Sequence, residues 1–226
     1  MSEPERLLKS KSLTTPRAAA VAGILFAILY GTGLVLIRLA IPADSTADGG
    51  AWLETNARAV DLALNLVPYA GIAFLWFIGV IRDRLGNVED RFFATVFLGS
   101  GLLFLALTFA GAAMAGGLLT SYAVAPRAII ESGVFTYGRE VMFHIINVYA
   151  VRMAGVFMIS LSTIWIRTGL MHRGWAFVTY ALALVLLVSI GYSLWVSLIF
   201  PGWVFAVSGY YLLRSRGVQP LEAESK

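Results

Sequence analysis

The chain has 226 residues, of which 59% are hydrophobic and only 13% are charged. Its mean hydropathy of +0.80 lies far above that of soluble globular proteins and predicts an integral membrane protein. The lack of cysteine excludes disulfides and Cys-ligated metal clusters, and the basic residues behind the net charge of +4 flank apolar segments instead of forming a nucleic-acid-binding patch.

Long apolar runs, without the two-residue alternation of barrel strands, predict membrane-spanning helices. After a polar tail at 1–17, four spans are expected at 18–39, 59–81, 92–119 and 141–166. Each is long enough to cross about 30 Å of hydrocarbon. The loop at 120–140 is long enough for a short interfacial helix.

The segment from Trp175 to Leu213 carries no charge and would be about twice too long as one helix. It is expected to fold back as two spans, at 175–193 and 197–213. Ser197 would then be the N-cap of the last helix, with Pro201 in its first turn. The predicted fold class is therefore an all-α integral membrane protein with a bundle of six transmembrane helices in one domain, 18–213, and a second tail at 214–226.

The distribution of Lys and Arg among the loops predicts the orientation. The two tails and the second and fourth loops carry 12 of these residues, whereas the first and third loops carry 3. Because cytoplasmic loops are richer in Lys and Arg, both termini are expected in the cytoplasm. The expected location is the plasma membrane of a bacterium.

The loop after the second span contains a short motif of a known family. Residues 79–86, GVIRDRLG, fit the pattern G-x-x-x-D-R-x-G and resemble the loop between helices 2 and 3 of major facilitator transporters. The chain departs from that family at Asn87 and Val88, where two basic residues are usual, and six helices would form half of such a transporter. The residues themselves predict that loop arginines set the topology and that Asn87 caps the third helix.

Small residues at four-residue spacing occur in the first and third spans. They are Gly23, Ala27 and Gly31 in the first, and the pairs Gly111 and Ala115, Ala112 and Gly116, and Ala113 and Gly117 in the third. Such faces allow helices to approach closely. They predict packing within the bundle, or contact with a homo-oligomer copy or another membrane partner.

The sequence predicts no cofactor and no metal site. Only two histidines occur, His144 in the fourth span and His172 in a loop, which is too few for a bis-histidine haem or a His-based metal cluster within the membrane. No lysine lies within a predicted span, so a Schiff-base chromophore is not expected.

Six polar residues within the spans are the predicted ligand-binding site: Arg38, Asp61, Asn65, His144, Asn147 and Arg152. Counted from the basic residues at the inner ends of their helices, Arg38, Asp61 and His144 are 21, 21 and 23 residues away, which places them at one level near the outer end. Charged residues within a membrane usually face the bundle interior and have partners. Asp61 is predicted to be the shared acceptor of the two arginines.

This cluster predicts an outward-facing polar pocket that binds or transports a small anionic molecule or a lipid headgroup, since two arginines outnumber one buried acid. Two alternatives remain open. The chain could be a structural or accessory subunit of a membrane complex, or a lipid-processing enzyme in which Asp61 orients His144 as a general base. No nucleophile, metal set or carboxylate pair accompanies His144, so no catalytic residue is assigned. The arginines could also have a purely structural role, with Arg38 reaching the interface and Arg152 joining helices.

Overall fold

The computed structural model describes residues 15–40, 52–85, 91–169, 172–189 and 194–216, and these residues form helices and no β-strand. The helices are α1 (Thr15–Ala40), α2 (Trp52–Leu85), α3 (Arg91–Val124), α4 (Pro126–Glu131), α5 (Val134–Thr168), α6 (Arg173–Val188) and α7 (Ile199–Arg216). A π-helical turn, Ile145–Ala150, lies within α5, and a 3-10 segment, Leu194–Leu198, leads into α7. The all-α class is confirmed for the described residues.

Five of the described helices, α1, α2, α3, α5 and α7, are long and apolar enough to cross a membrane. Together they identify a multi-pass membrane protein. The helix α6 is apolar but has only 16 residues. At 1.5 Å per residue it is about 24 Å long, shorter than the ~30 Å hydrocarbon core, so a sixth span remains a prediction.

The break between the last two helices starts earlier than the sequence predicted. The last residue of α6 is Val188 rather than residue 193, and Ser189 has an extended backbone. Ser197 was wrongly predicted as the N-cap of α7, because it lies inside the 3-10 segment and its hydroxyl donates to Asn147 of α5. The prediction for Pro201 is confirmed, since it is in the first turn of α7.

The helices α1, α2 and α3 meet α4 and the start of α5 at one end of the bundle. A small apolar cluster there contains Ala40, Val60, Tyr122, Ile129 and Phe135. The loop at 120–140, whose length allows a short helix, contains α4, and the chain then turns at Gly133, whose φ of 75° is readily adopted only by glycine. We call this end the Arg38 end, because Arg38 lies in the last turn of α1. The cap predicted at Asn87, like the first loop at 41–51, lies outside the described residues.

Five phenylalanines fill the centre of the bundle, one from each long helix: Phe26, Phe74, Phe104, Phe157 and Phe200. Their ring centroids are 4.7 Å apart for Phe26 and Phe74, 4.8 Å for Phe104 and Phe200, and 5.4 Å for Phe74 and Phe157. All five side chains are buried. We call this group the phenylalanine core, and it closes the bundle interior at its level.

Small residues allow close helix packing inside the bundle, as predicted. A Cβ atom added to Gly23 of α1 would collide with Ser208 of α7 and Phe77 of α2, and one added to Gly111 of α3 would collide with Ile146 of α5. Other glycines of these two faces, Gly31, Gly116 and Gly117, have no heavy atom within 4 Å of the position that a Cβ would occupy. These positions leave room for a contact outside the described chain.

Candidate functional site

Arg38, in the last turn of α1, lies beside Trp195 and carries one buried donor without a partner among the described residues. Its guanidinium carbon lies 5.9 Å from the ring centroid of Trp195, within the range of a cation–π contact. Its Nε atom is buried and has no hydrogen-bond partner among the described residues. A buried N–H without an acceptor costs free energy, so this donor favours any ligand that brings an oxygen to it.

Asn147 joins the π-helical turn of α5 to the segment that precedes α7. Its Oδ1 accepts a hydrogen bond of 3.2 Å from the Ser197 hydroxyl, and its Nδ2 donates to the carbonyl of Phe143 at 3.2 Å. π-Helical turns occur often at functional sites, because they displace side chains from the regular helical pattern. Ser197 is two residues after Trp195. This bond therefore joins α5 to the same 3-10 segment that Arg38 contacts.

Arg152 hydrogen-bonds to backbone carbonyls rather than to a carboxylate. Its Nε donates to the carbonyl of Leu187 at 3.4 Å, and its Nη1 donates to the carbonyl of Val148 at 3.2 Å. Leu187 is in the last turn of α6, where helical carbonyls have no intrahelical partner. Arg152 therefore acts as a C-terminal cap of α6, with a positive charge where the helix dipole favours one.

Asp61 and Asn65 lie on an exposed face of α2, away from these contacts. The buried face of α2 includes Val60, Ala63 and Val67, and Asp61 is turned by about 100° from Val60 around the helix. The carboxylate of Asp61 makes no hydrogen bond or ion pair with another described residue, whereas the Asn65 amide donates to the backbone carbonyl of Asp61 at 2.9 Å. The predicted ion pairs of Asp61 with the two arginines are therefore not formed among the described residues.

His144 is exposed and is oriented by its own helix. Its Nδ1 is 2.9 Å from the carbonyl of Glu140, and because a carbonyl only accepts, Nδ1 is the donor in this contact. The orienting role that the enzyme alternative gave to Asp61 is taken by this backbone carbonyl.

An open apolar groove of about 320 Å³ runs along the bundle surface between α1 and α7. Its lining residues are Ala27, Ile28, Gly31, Val35, Leu198, Pro201, Gly202 and Phe205. We call it the α1–α7 groove. Val35 is three residues before Arg38, and Leu198 is three residues after Trp195, so the groove leads towards the Arg38–Trp195 contact.

Three of the six predicted residues contact the described ends of the α6–α7 region: Arg152 contacts Leu187 in the last turn of α6, and Arg38 and Asn147 contact the 3-10 segment before α7, at Trp195 and Ser197. For Ser197 the sequence had predicted only a cap, and for Trp195 no part in this site. The sequence signal for a wider role was present, since both lie at the break of an uncharged run that has to turn within or near the membrane.

The described residues contain no group of three or more His, Asp or Glu side chains placed to hold a metal ion. Comparisons with protein-family models, curated proteins and solved structures found no match to the chain. The function is therefore argued from the geometry of the Arg38 end.

Proposed function

We propose that this multi-pass membrane protein binds an anionic group, either a small anion or a lipid headgroup, at Arg38. The observation that carries the proposal is the buried Nε of Arg38, which has no partner among the described residues although the guanidinium is held against Trp195. Arginine presents a planar array of donors that suits phosphate and carboxylate oxygens. An anion at this position would supply the missing acceptor and balance the charge.

Binding is better supported than transport. The phenylalanine core is closed between the Arg38 end and the opposite end of the bundle, so a transported solute would need a rearrangement of five packed rings. In the proposed arrangement both termini are cytoplasmic, α6 is the sixth span, and the Arg38 end faces outward from the plasma membrane of a bacterium.

The test is native mass spectrometry of the full chain purified in a neutral detergent. We expect the unaltered protein to retain an anionic ligand, and Arg38→Gln to lose it. Arg127→Gln is the matched control, because Arg127 is an exposed arginine of α4 and its removal changes the net charge equally. Equal retention by the Arg38→Gln protein, or retention of uncharged molecules alone, would refute anion binding at this site.

A second candidate function is that of an accessory subunit in a membrane complex. It is supported by Gly116 and Gly117 of α3, whose open surroundings and small neighbour Ala113, which is exposed, leave space for a partner helix. Crosslinking in native membranes should then capture one foreign chain repeatedly. Replacing Gly117 with Leu should abolish that crosslink while leaving the chain folded, and an unchanged crosslink would exclude this face.

A further inference from the structure

We propose that the α1–α7 groove holds one acyl chain of an anionic phospholipid whose phosphate binds Arg38. This inference rests on the anion binding proposed above and adds the class of ligand, an amphiphile with a negatively charged head. Two properties carry it: the groove is lined by apolar residues, and both of its walls lead to the same guanidinium group.

The wall on α1 is one stripe of the helix surface. Ala27, Gly31 and Val35 line the groove at four-residue spacing, and Arg38 follows Val35 by three residues. Residues three and four apart share one face of an α-helix. Arg38 therefore continues the line of the groove, which extends for about 12 Å along α1 from residue 27 to residue 35.

The opposite wall, formed by the 3-10 segment and the first turns of α7, has the same construction. Leu198, Pro201 and Phe205 line the groove, and Trp195, which contacts Arg38, precedes Leu198 by three residues. Gly202 has no heavy atom within 4 Å of where its Cβ would be, as is true of Gly31 on the opposite wall. Because Gly31 and Gly202 have no side chains, an acyl chain in the middle of the groove can approach the backbones of both helices.

A phospholipid uses both the apolar groove and Arg38, whereas a free anion uses only Arg38. Ile28 and Phe205 are about half exposed, 52% and 50%, so the groove opens on the lipid-facing surface and an acyl chain can enter from the bilayer. A neutral lipid would fill the groove but would leave Arg38 without a full counter-charge. The headgroup charge should therefore decide which lipid is retained.

The experiment compares the full chain with Gly31→Leu by native mass spectrometry. Leucine at this position would project into the groove, and the empty space around Gly31 means that it should not disturb the fold. Gly209→Leu is the matched control, because Gly209 is a glycine of α7 that also has open surroundings but does not line the groove. The probes are phosphatidylglycerol, phosphatidylcholine with the same acyl chains, and inorganic phosphate.

We expect the unaltered protein and Gly209→Leu to retain phosphatidylglycerol over phosphatidylcholine. Gly31→Leu should bind phosphatidylglycerol about tenfold more weakly, equivalent to ~1.4 kcal/mol, and should bind inorganic phosphate unchanged. Arg38→Gln should weaken both phosphatidylglycerol and phosphate. Gly202→Leu fills the same groove from α7 and should repeat the result of Gly31→Leu, which guards against a folding defect in either variant.

The outcomes separate the two proposals. If Arg38→Gln loses phosphatidylglycerol but both groove variants keep it, the groove assignment is refuted and anion binding at Arg38 stands. If the unaltered protein binds phosphatidylcholine as well as phosphatidylglycerol, the anionic selection is refuted. If Arg38→Gln changes neither probe, the proposed function itself fails and this inference fails with it.

Discussion

Replacing Arg152 with Met should loosen the end of α6 without unfolding the bundle. The two hydrogen bonds of Arg152, to Leu187 at 3.4 Å and to Val148 at 3.2 Å, both end on backbone carbonyls. The carbonyls in the last turn of the apolar helix α6 have no intrahelical partner, so a carbonyl that loses its donor is costly wherever water does not reach it. Methionine fills a similar space but supplies no donor.

Two opposing effects set the size of the change. A hydrogen bond from a charged donor contributes about 1.5–3 kcal/mol, and the long bond to Leu187 belongs at the lower end of that range. Removing a charge from the membrane region is favourable by roughly 2.5–3.5 kcal/mol on insertion scales. We therefore expect Arg152→Met to leave the overall stability of the bundle nearly unchanged. The local opening of the α6 end should become easier by about 1.5 kcal/mol, which is roughly a tenfold faster exchange.

Hydrogen–deuterium exchange measures this local opening directly. The Ser189 amide, which donates to the Val185 carbonyl at 2.9 Å, is the reporter for the α6 end, and the amides of α7 beyond Trp203 are the internal reference. Arg152→Lys separates charge from geometry, because a lysine keeps the charge but not the planar fork that can serve two carbonyls. Unchanged exchange at Ser189 in a folded Arg152→Met protein would refute the capping role.

Three further predictions test the fold. Gly23→Leu should prevent normal packing of α1, because its side chain would collide with Ser208; a thermal midpoint unchanged in detergent would contradict the close approach. Phe74→Ala should cost about 3–5 kcal/mol through the cavity that it leaves in the phenylalanine core, whereas Phe177→Ala on the exposed face of α6 should cost little; denaturation in mixed micelles compares the two. A reporter fused after Lys226 should give a cytoplasmic signal, and a periplasmic or extracellular signal would reverse the predicted orientation.

The apolar helices could be predicted from sequence, but their ends could not. The second span was expected at 59–81 and the third at 92–119, whereas α2 runs over Trp52–Leu85 and α3 over Arg91–Val124. Hydropathy identifies the part of a helix that suits hydrocarbon, and a helix can continue into the interface with polar residues. The added turns of α3 carry Tyr122, whose packing against Ile129 of α4 depends on tertiary contacts that hydropathy does not encode.

The sequence predicts the level of the polar residues along their helices but not the direction of their side chains. Counting residues from the inner anchors placed Asp61 and Arg38 at similar depth, but depth along a helix says nothing of which face a side chain occupies. The neighbouring Val60 packs into the apolar cluster at the Arg38 end, and the next residue, Asp61, is exposed. Two charged side chains pair only if they match both in depth along the helix and in the face that they occupy. The weak hydrophobic periodicity of these apolar helices does not show the face.

Arg38 and Arg152 have different partners on the two sides of the break between α6 and α7. A helix that ends in or near hydrocarbon leaves carbonyls that water cannot reach, and an arginine with five donors on a neighbouring helix can serve several of them. Arg152 does this at Leu187, while Asn147 holds the same connection through Ser197. Arg38 contacts the ring of Trp195 in the 3-10 segment before α7, and its buried Nε is left without an acceptor among the described residues. The structural need for a donor therefore accounts for Arg152 and not for Arg38, which is why we propose Arg38 as the ligand-binding residue.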